Sequence, residues 1–129
     1  MFSKIIEPRF GDTDALGHIN NISMAKWFEL ARNDLHRLIN PDMDMSKWNM
    51  IMAHSSYDFH AETHFGSNVE VRTYVEKIGN SSFTLYHEVW QHGKKTVTGK
   101  AVVVHFDFKI KKSTPLPDDI KAKLSLHLK

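Results

Sequence analysis

The chain has 129 residues, 41% apolar and 25% charged, with a formal charge of +2, which suits one globular domain spanning residues 1–129 and excludes both a disordered chain and a strongly basic nucleic-acid binder. With no cysteine, disulfides, thiolate nucleophiles and cysteine-ligated zinc are excluded as well. The opening MFSKIIEPRF has no signal-peptide core, and no segment approaches the roughly 18 apolar residues of a membrane span, so a cytoplasmic protein without membrane contact is expected.

Residues 3–10 read as a first strand, with Pro8 tolerated near an edge. The loop FGDTDALGHINN, residues 10–21, follows. From Met24 the apolar positions Trp27, Phe28, Ala31, Leu35, Leu38 and Ile39 recur at helical spacing, which predicts one long helix. Asn20 or Asn21 is placed to cap its start, and Asn40-Pro41 ends it. The period then drops to two. Residues 50–62, 68–78, 82–92 and 95–108 are read as strands rich in Val, Phe, Tyr and Thr, joined by the turn signals Gly66-Ser67-Asn68, Gly79-Asn80-Ser81 and His92-Gly93. Short connections imply antiparallel pairing. Leu116-Pro117-Asp118-Asp119 opens a terminal helix over 120–128, with Pro at the first helical position. The order gives an α+β domain in two layers, one helix stripe covering one sheet face. The other face and the sheet edges need cover, which predicts at least a homodimer.

Nine histidines raise the question of a metal. His60 and His64 are four apart, a spacing that converges only on a helix, whereas this region reads as a strand running into a turn, so no metal site is expected. His87, His92 and His105 read as surface or satisfied core residues. The nucleophile elbow G-x-S-x-G is absent, as are the Gly-rich nucleotide loops, so serine hydrolases and ordinary kinases and dehydrogenases drop out. The loop before the helix remains. A helix N-terminus presents unpaired amides and a favourable dipole for an oxyanion, and a nearby aspartate can attack a carbonyl or activate water. Taken by themselves, though, Asp12, Asp14 and the asparagines are better explained as turn and cap formers.

A resemblance changes that balance. RFGDTDALGHINNISMAKWFELAR, residues 9–32, resembles the opening of hotdog-fold acyl-CoA thioesterases of the 4-hydroxybenzoyl-CoA thioesterase-like type: an aromatic residue, D-x-D, G-H-hydrophobic-N-N, then W-F-E-x-A-R. GSNVEVRTYVEKIGNSSFTLYHEVW and LPDDIKAKL are similar to later family segments. The resemblance implies a long central helix wrapped by a five-stranded antiparallel sheet, in a homodimer or homotetramer that binds an acyl-CoA or acyl-carrier-protein thioester between subunits.

Carried over by position, the catalytic carboxylate is Asp14, as nucleophile or general base, with His18 as its partner. Gly17 turns the chain into the helix, and the amides near Asn20 and Asn21 polarise the thioester carbonyl. Asp12 is structural. Glu29 and Arg32 match the W-F-E-x-A-R pattern and read as an exposed helix ion pair without a catalytic role. Many relatives carry tyrosine in place of Met24, and the related plant enzymes asparagine in place of Leu16. The substitutions make the substrate pocket more apolar and favour an aliphatic acyl group over a hydroxylated aromatic one. Lys77, Ser81 and Ser82 are candidates for contact with the CoA phosphates, and no cofactor is implied. The alternatives are a non-catalytic acyl-thioester binding module, or a dehydratase or hydratase, whose histidine-acid arrangement the sequence does not match.

Overall fold

Six strands form one antiparallel sheet in the computed structural model, which describes residues 1–129: β1 (Phe2–Ile6), β2 (Met50–Phe59), β3 (Val69–Ile78), β4 (Ser82–Gln91), β5 (Lys94–Asp107) and β6 (Lys112–Ser113). The order across the sheet is β1-β3-β4-β5-β2, with the two-residue β6 folded back on the end of β5. The five long strands are those the alternation predicts, with shifted ends, but the Gly66-Ser67-Asn68 turn does not join a hairpin: β2 pairs β5, and β3 pairs β1 and β4. The first strand stops at Ile6, because beyond Pro8 the chain closes a one-turn 3₁₀ helix at Phe10–Asp12 in which the Arg9 amide donates to the Asp12 carboxylate (2.8 Å). β2 likewise stops at Phe59, leaving residues 60–68 as a connection. Between β4 and β5 the two-residue loop His92-Gly93 has both φ values positive, 53° and 71°, the geometry whose twist matches a hairpin.

The single long helix of the sequence reading is two: α1 (Asn21–Ala31) and α2 (Asn33–Ile39). At Arg32 the amide is shared between the carbonyls of Phe28 and Glu29, 3.1 Å each, a local tightening of the helix rather than a proline or glycine break. The terminal helix α3 covers Asp118–Ser125, and Pro117, with ψ of 150°, is its cap and not its first helical residue. Beyond it the chain returns to β3, where the Val75 amide donates to the His127 carbonyl (3.0 Å), past the stretch that β1 pairs.

Val69, Val71 and Val75 of β3, Phe83, Leu85 and Val89 of β4, and Val97, Ala101 and Val103 of β5 are all buried, as period two demands of one face. α1 packs Met24, Trp27, Phe28 and Ala31 on the Val69, Val71, Val89 and Val97 end. α2 and α3 cover the other end with Leu35, Ile39, Ile120 and Leu124. Gly99, midway along β5, makes the close approach possible, since a Cβ there would stand 2.5 Å from both the Phe28 ring and the Ser56 carbonyl oxygen.

The opposite face, which the sequence expectation left for a partner to cover, is largely polar. It carries the Arg72–Glu70 and Lys95–Glu88 ion pairs, at 2.8 and 3.1 Å, with Arg72 stacked over Trp90 and Lys129 over Tyr86. The outer edges of β1 and β2 have no strand partner, and on β2 Ile51, Met52 and Phe59 are exposed. No helix is long and apolar enough to cross a membrane.

Candidate active site

The loop between β1 and α1 is built by its own short polar side chains. Asp12 accepts from the Arg9 amide and, at 2.8 Å, from the Ser23 hydroxyl, while its carbonyl takes the Asn20 amide at 2.6 Å. It ties the 3₁₀ turn to the first turn of α1, the structural part the sequence assigned it. Asn20 is the cap: its side chain accepts from the Ile22 amide (3.1 Å), which quenches one of the unpaired donors at the helix start. Asn21 is the first helical residue.

Asp14 folds the next four residues around itself. Its Oδ1 accepts from the Leu16 amide (2.8 Å) and the His18 amide (3.1 Å), and its own amide donates to the His18 carbonyl (2.8 Å). The tight reversal passes through Gly17 at φ 79°, in the left-handed region that favours glycine. One carboxylate oxygen is thereby committed to the loop, and Oδ2 makes no bond within the chain. The alternative readings of Asp14, turn former and reactive group, therefore fall on different oxygens of one side chain.

Asp14, His18, Asn20, Asn21 and Met24 come together along a cleft of about 580 Å³. Its far wall is supplied by the end of β2 and the connection after it, from Phe59 to Thr63. Met24 reaches the cleft from the core, being only 2% exposed. Leu16 does not line it: at the tip of the Asp14 turn, with its amide drawn inward, the side chain is 77% exposed. Lys77, Ser81 and Ser82 lie at the β3–β4 hairpin and are also absent from the lining. Of the two amides expected to face a carbonyl, that of Asn20 is taken by Asp12, whereas that of Asn21 has no acceptor in the chain.

Two groups near the cleft were not identified from sequence. Glu62 stands with its Oε2 3.3 Å from His18 Nε2 and 3.8 Å from His64 Nε2. His18 and His64 form an isolated antiparallel bridge, and their rings meet edge to face at 5.2 Å. His60, paired with His64 in the sequence reasoning, instead bonds the Thr98 hydroxyl at 2.8 Å. Roughly forty residues separate the loop from this segment, so only strand pairing could have revealed the contact.

Beneath α1 the W-F-E-x-A-R pattern resolves differently from an exposed ion pair. Arg32 is 5% exposed, and its guanidinium donates to His87 Nε2 at 3.5 Å rather than pairing with Glu29. His87 is wholly buried, stacked on Phe28 with ring centroids 4.6 Å apart, and its Nδ1 lies 2.8 Å from the Thr73 hydroxyl. Burial first, and the Arg32 charge second, push its pKa down to about 3. An imidazole that accepts from a cation is neutral, so Nδ1 carries the proton and donates to Thr73.

Residues 8–124 match the family model of the thioesterase-like superfamily. Among solved structures the chain is similar to a predicted thioesterase from Bacillus stearothermophilus, 38% identical, with a TM-score of 0.96 over 99% of this chain and 96% of that one. It is also similar to a thioesterase from Thermus thermophilus complexed with coenzyme A and Zn, at 27% identity and a TM-score of 0.87, covering 97% and 92% of the two chains. An uncharacterized protein of Bacillus subtilis (strain 168), YsmA, is 25% identical over 95% of this chain and 84% of its own length.

Proposed function

Since the chain belongs to the thioesterase-like superfamily and is a hotdog-fold thioester hydrolase, we propose that it cleaves acyl-CoA thioesters with Asp14 as the reacting carboxylate. The observation that carries this reading is the division of labour at Asp14: Oδ1 is held by two amides and Oδ2 is left free, in a cleft shared with His18 and the start of α1. A carboxylate fixed in this way can add to the thioester carbon, expelling the CoA thiolate and leaving an anhydride for water to cleave. It can equally take a proton from water as that water attacks. In both routes negative charge gathers on the carbonyl oxygen, and the Asn21 amide at the helix N-terminus is a donor with no competing acceptor. His18 holds or delivers a proton at Nε2 when the thiolate leaves. Coenzyme A as the carrier is supported by the Thermus thermophilus relative's complex with it.

A homodimer completes the site. Phe59 and His60, at the end of β2, whose outer edge is free, already form part of one wall of the cleft. A second copy pairing along β2 would hide its edge, cover Ile51 and Met52, and close the apolar side of the acyl site with the partner's surface. Met24 and Phe59 favour an aliphatic acyl chain. The thioester hydrolase operates as a cytoplasmic protein in this reading.

The test is thiol release from a panel of acyl-CoA substrates of increasing chain length. Asp14→Ala is expected to lose at least about 100-fold in kcat/KM, a transition-state loss of about 2.7 kcal/mol, while far-UV circular dichroism stays that of the parent. Hydrolysis retained within about threefold would remove Asp14 from the mechanism. Binding of acyl-CoA by the parent without any thiol release would replace this reading with a binding module.

A further inference from the structure

We propose that His18, Glu62 and His64 form a binding site for a divalent cation of the zinc type. Donor geometry carries the site, and because a cation would occupy the His18 Nε2 that handles a proton in the proposed hydrolysis, the metal-bound and proton-transferring states of His18 are alternatives. One ligand atom from each of the three residues lies within 4.8 Å of the others, with Glu62 Oε2 at 3.3 Å from His18 Nε2 and 3.8 Å from His64 Nε2. Zinc holds imidazole nitrogen and carboxylate oxygen at about 2.0–2.2 Å in a tetrahedron, whose edge is then about 3.3–3.5 Å. The first separation already has that value, and the others close to it by small rotations of half-exposed side chains. An octahedral cation with similar bond lengths would need edges of about 3.0 Å, so the set fits four-coordinate zinc better than magnesium, which also prefers all-oxygen ligands.

The segment that presents Glu62 and His64 is a connection, yet it is fixed by buried polar groups. The Gln91 side chain accepts from the His64 amide at 2.9 Å and donates to the His64 carbonyl at 2.8 Å and the Ser67 carbonyl at 3.0 Å. Thr63 donates its hydroxyl to Thr96 (2.9 Å), and its carbonyl accepts the Ile19 amide (2.8 Å), which locks this segment to the loop carrying His18. Both Gln91 and Thr63 are buried. Two imidazoles and a carboxylate are thus held together before any ion arrives, which lowers the ordering cost of binding. Three protein ligands leave one tetrahedral position for water, and His18 and Glu62 both line the cleft that contains Asp14.

The experiment is isothermal titration of the full chain, freed of metal by chelation, with Zn²⁺ alone, together with Co²⁺ as an optical probe. The expected result is one Zn²⁺ per chain and the intense visible bands of four-coordinate Co²⁺. Glu62→Gln and His64→Ala should each weaken binding at least about tenfold, since loss even of outer partners of a metal site costs that much. His92→Ala, an exposed histidine elsewhere, should leave it unchanged. Asp14→Asn, whose amide oxygen can still accept from the Leu16 and His18 amides, should retain binding, so loss of hydrolysis and loss of metal are separate results. Absence of Zn²⁺ binding, or binding that survives in both Glu62→Gln and His64→Ala, overturns the proposal and leaves the three residues an ordinary ion-paired cluster.

Discussion

Replacing His87 by glutamine should remove a large part of the protein's sensitivity to mild acid. His87 is neutral in the fold, with its pKa pushed down to about 3, against about 6.5 in an unfolded chain. Between those values the unfolded state binds the extra proton, so this contribution to stability is complete above about pH 6.5 and is lost as the pH falls, with a limiting slope of about 1.4 kcal/mol per unit. From about pH 6.5 to about pH 4.5 His87 alone should cost the fold about 2–3 kcal/mol, and carboxylates that begin to titrate at the lower end do so in both proteins. Glutamine can still donate to Thr73 and accept from Arg32 but has no proton to gain. His36, pushed down by burial and by the Arg32 charge, and His127, pushed down by burial and by the terminal ammonium, titrate in both proteins and cancel in the difference. Urea unfolding of parent and His87→Gln at one protein concentration, stepped from about pH 7.5 to about 4.5, reads the effect directly. Parallel stability profiles would refute the account of His87 as a buried neutral base beside a buried cation.

Gly99→Ala should destabilise by about 1–3 kcal/mol, because one of the two atoms its Cβ would strike is the Ser56 backbone carbonyl oxygen, which cannot swing away; equilibrium denaturation measures it. Gln91→Leu removes three bonds to the segment behind the cleft and should cost about 1–3 kcal/mol for the polar groups it strands. Denaturation and thiol release should fall together in that variant, and unchanged activity would show that the segment needs no such anchor. Sedimentation should give a dimer at micromolar concentration, with a melting temperature that rises with protein concentration; a concentration-independent monomer would leave β2 an ordinary free edge.

Whereas the β1–β3 and β2–β5 pairings are long-range, the helical stripe from Met24 to Ile39, the alternation after Met50 and the turn residues His92-Gly93 are local signals, and they determined the element order and the β3–β4 and β4–β5 hairpins because backbone geometry repeats over a few residues. The same holds within residues 10–21, where Asp12, Asp14, Gly17 and Asn20 act on neighbours at most eleven positions away. Contacts made by strand register are of another kind. Glu62 and His64 reach His18 only because the segment after β2 is pinned by Gln91 and Thr96 from β4 and β5, and Arg32 meets His87 only because α1 seats Phe28 against Gly99 of β5 and the His87 ring of β4. Leu16 turned outward for a local reason, its amide being claimed by Asp14 two residues before it. Sequence spacing carries the periodicity of an element but not which side chains two distant elements bring face to face; packing of the sheet against α1 decided that.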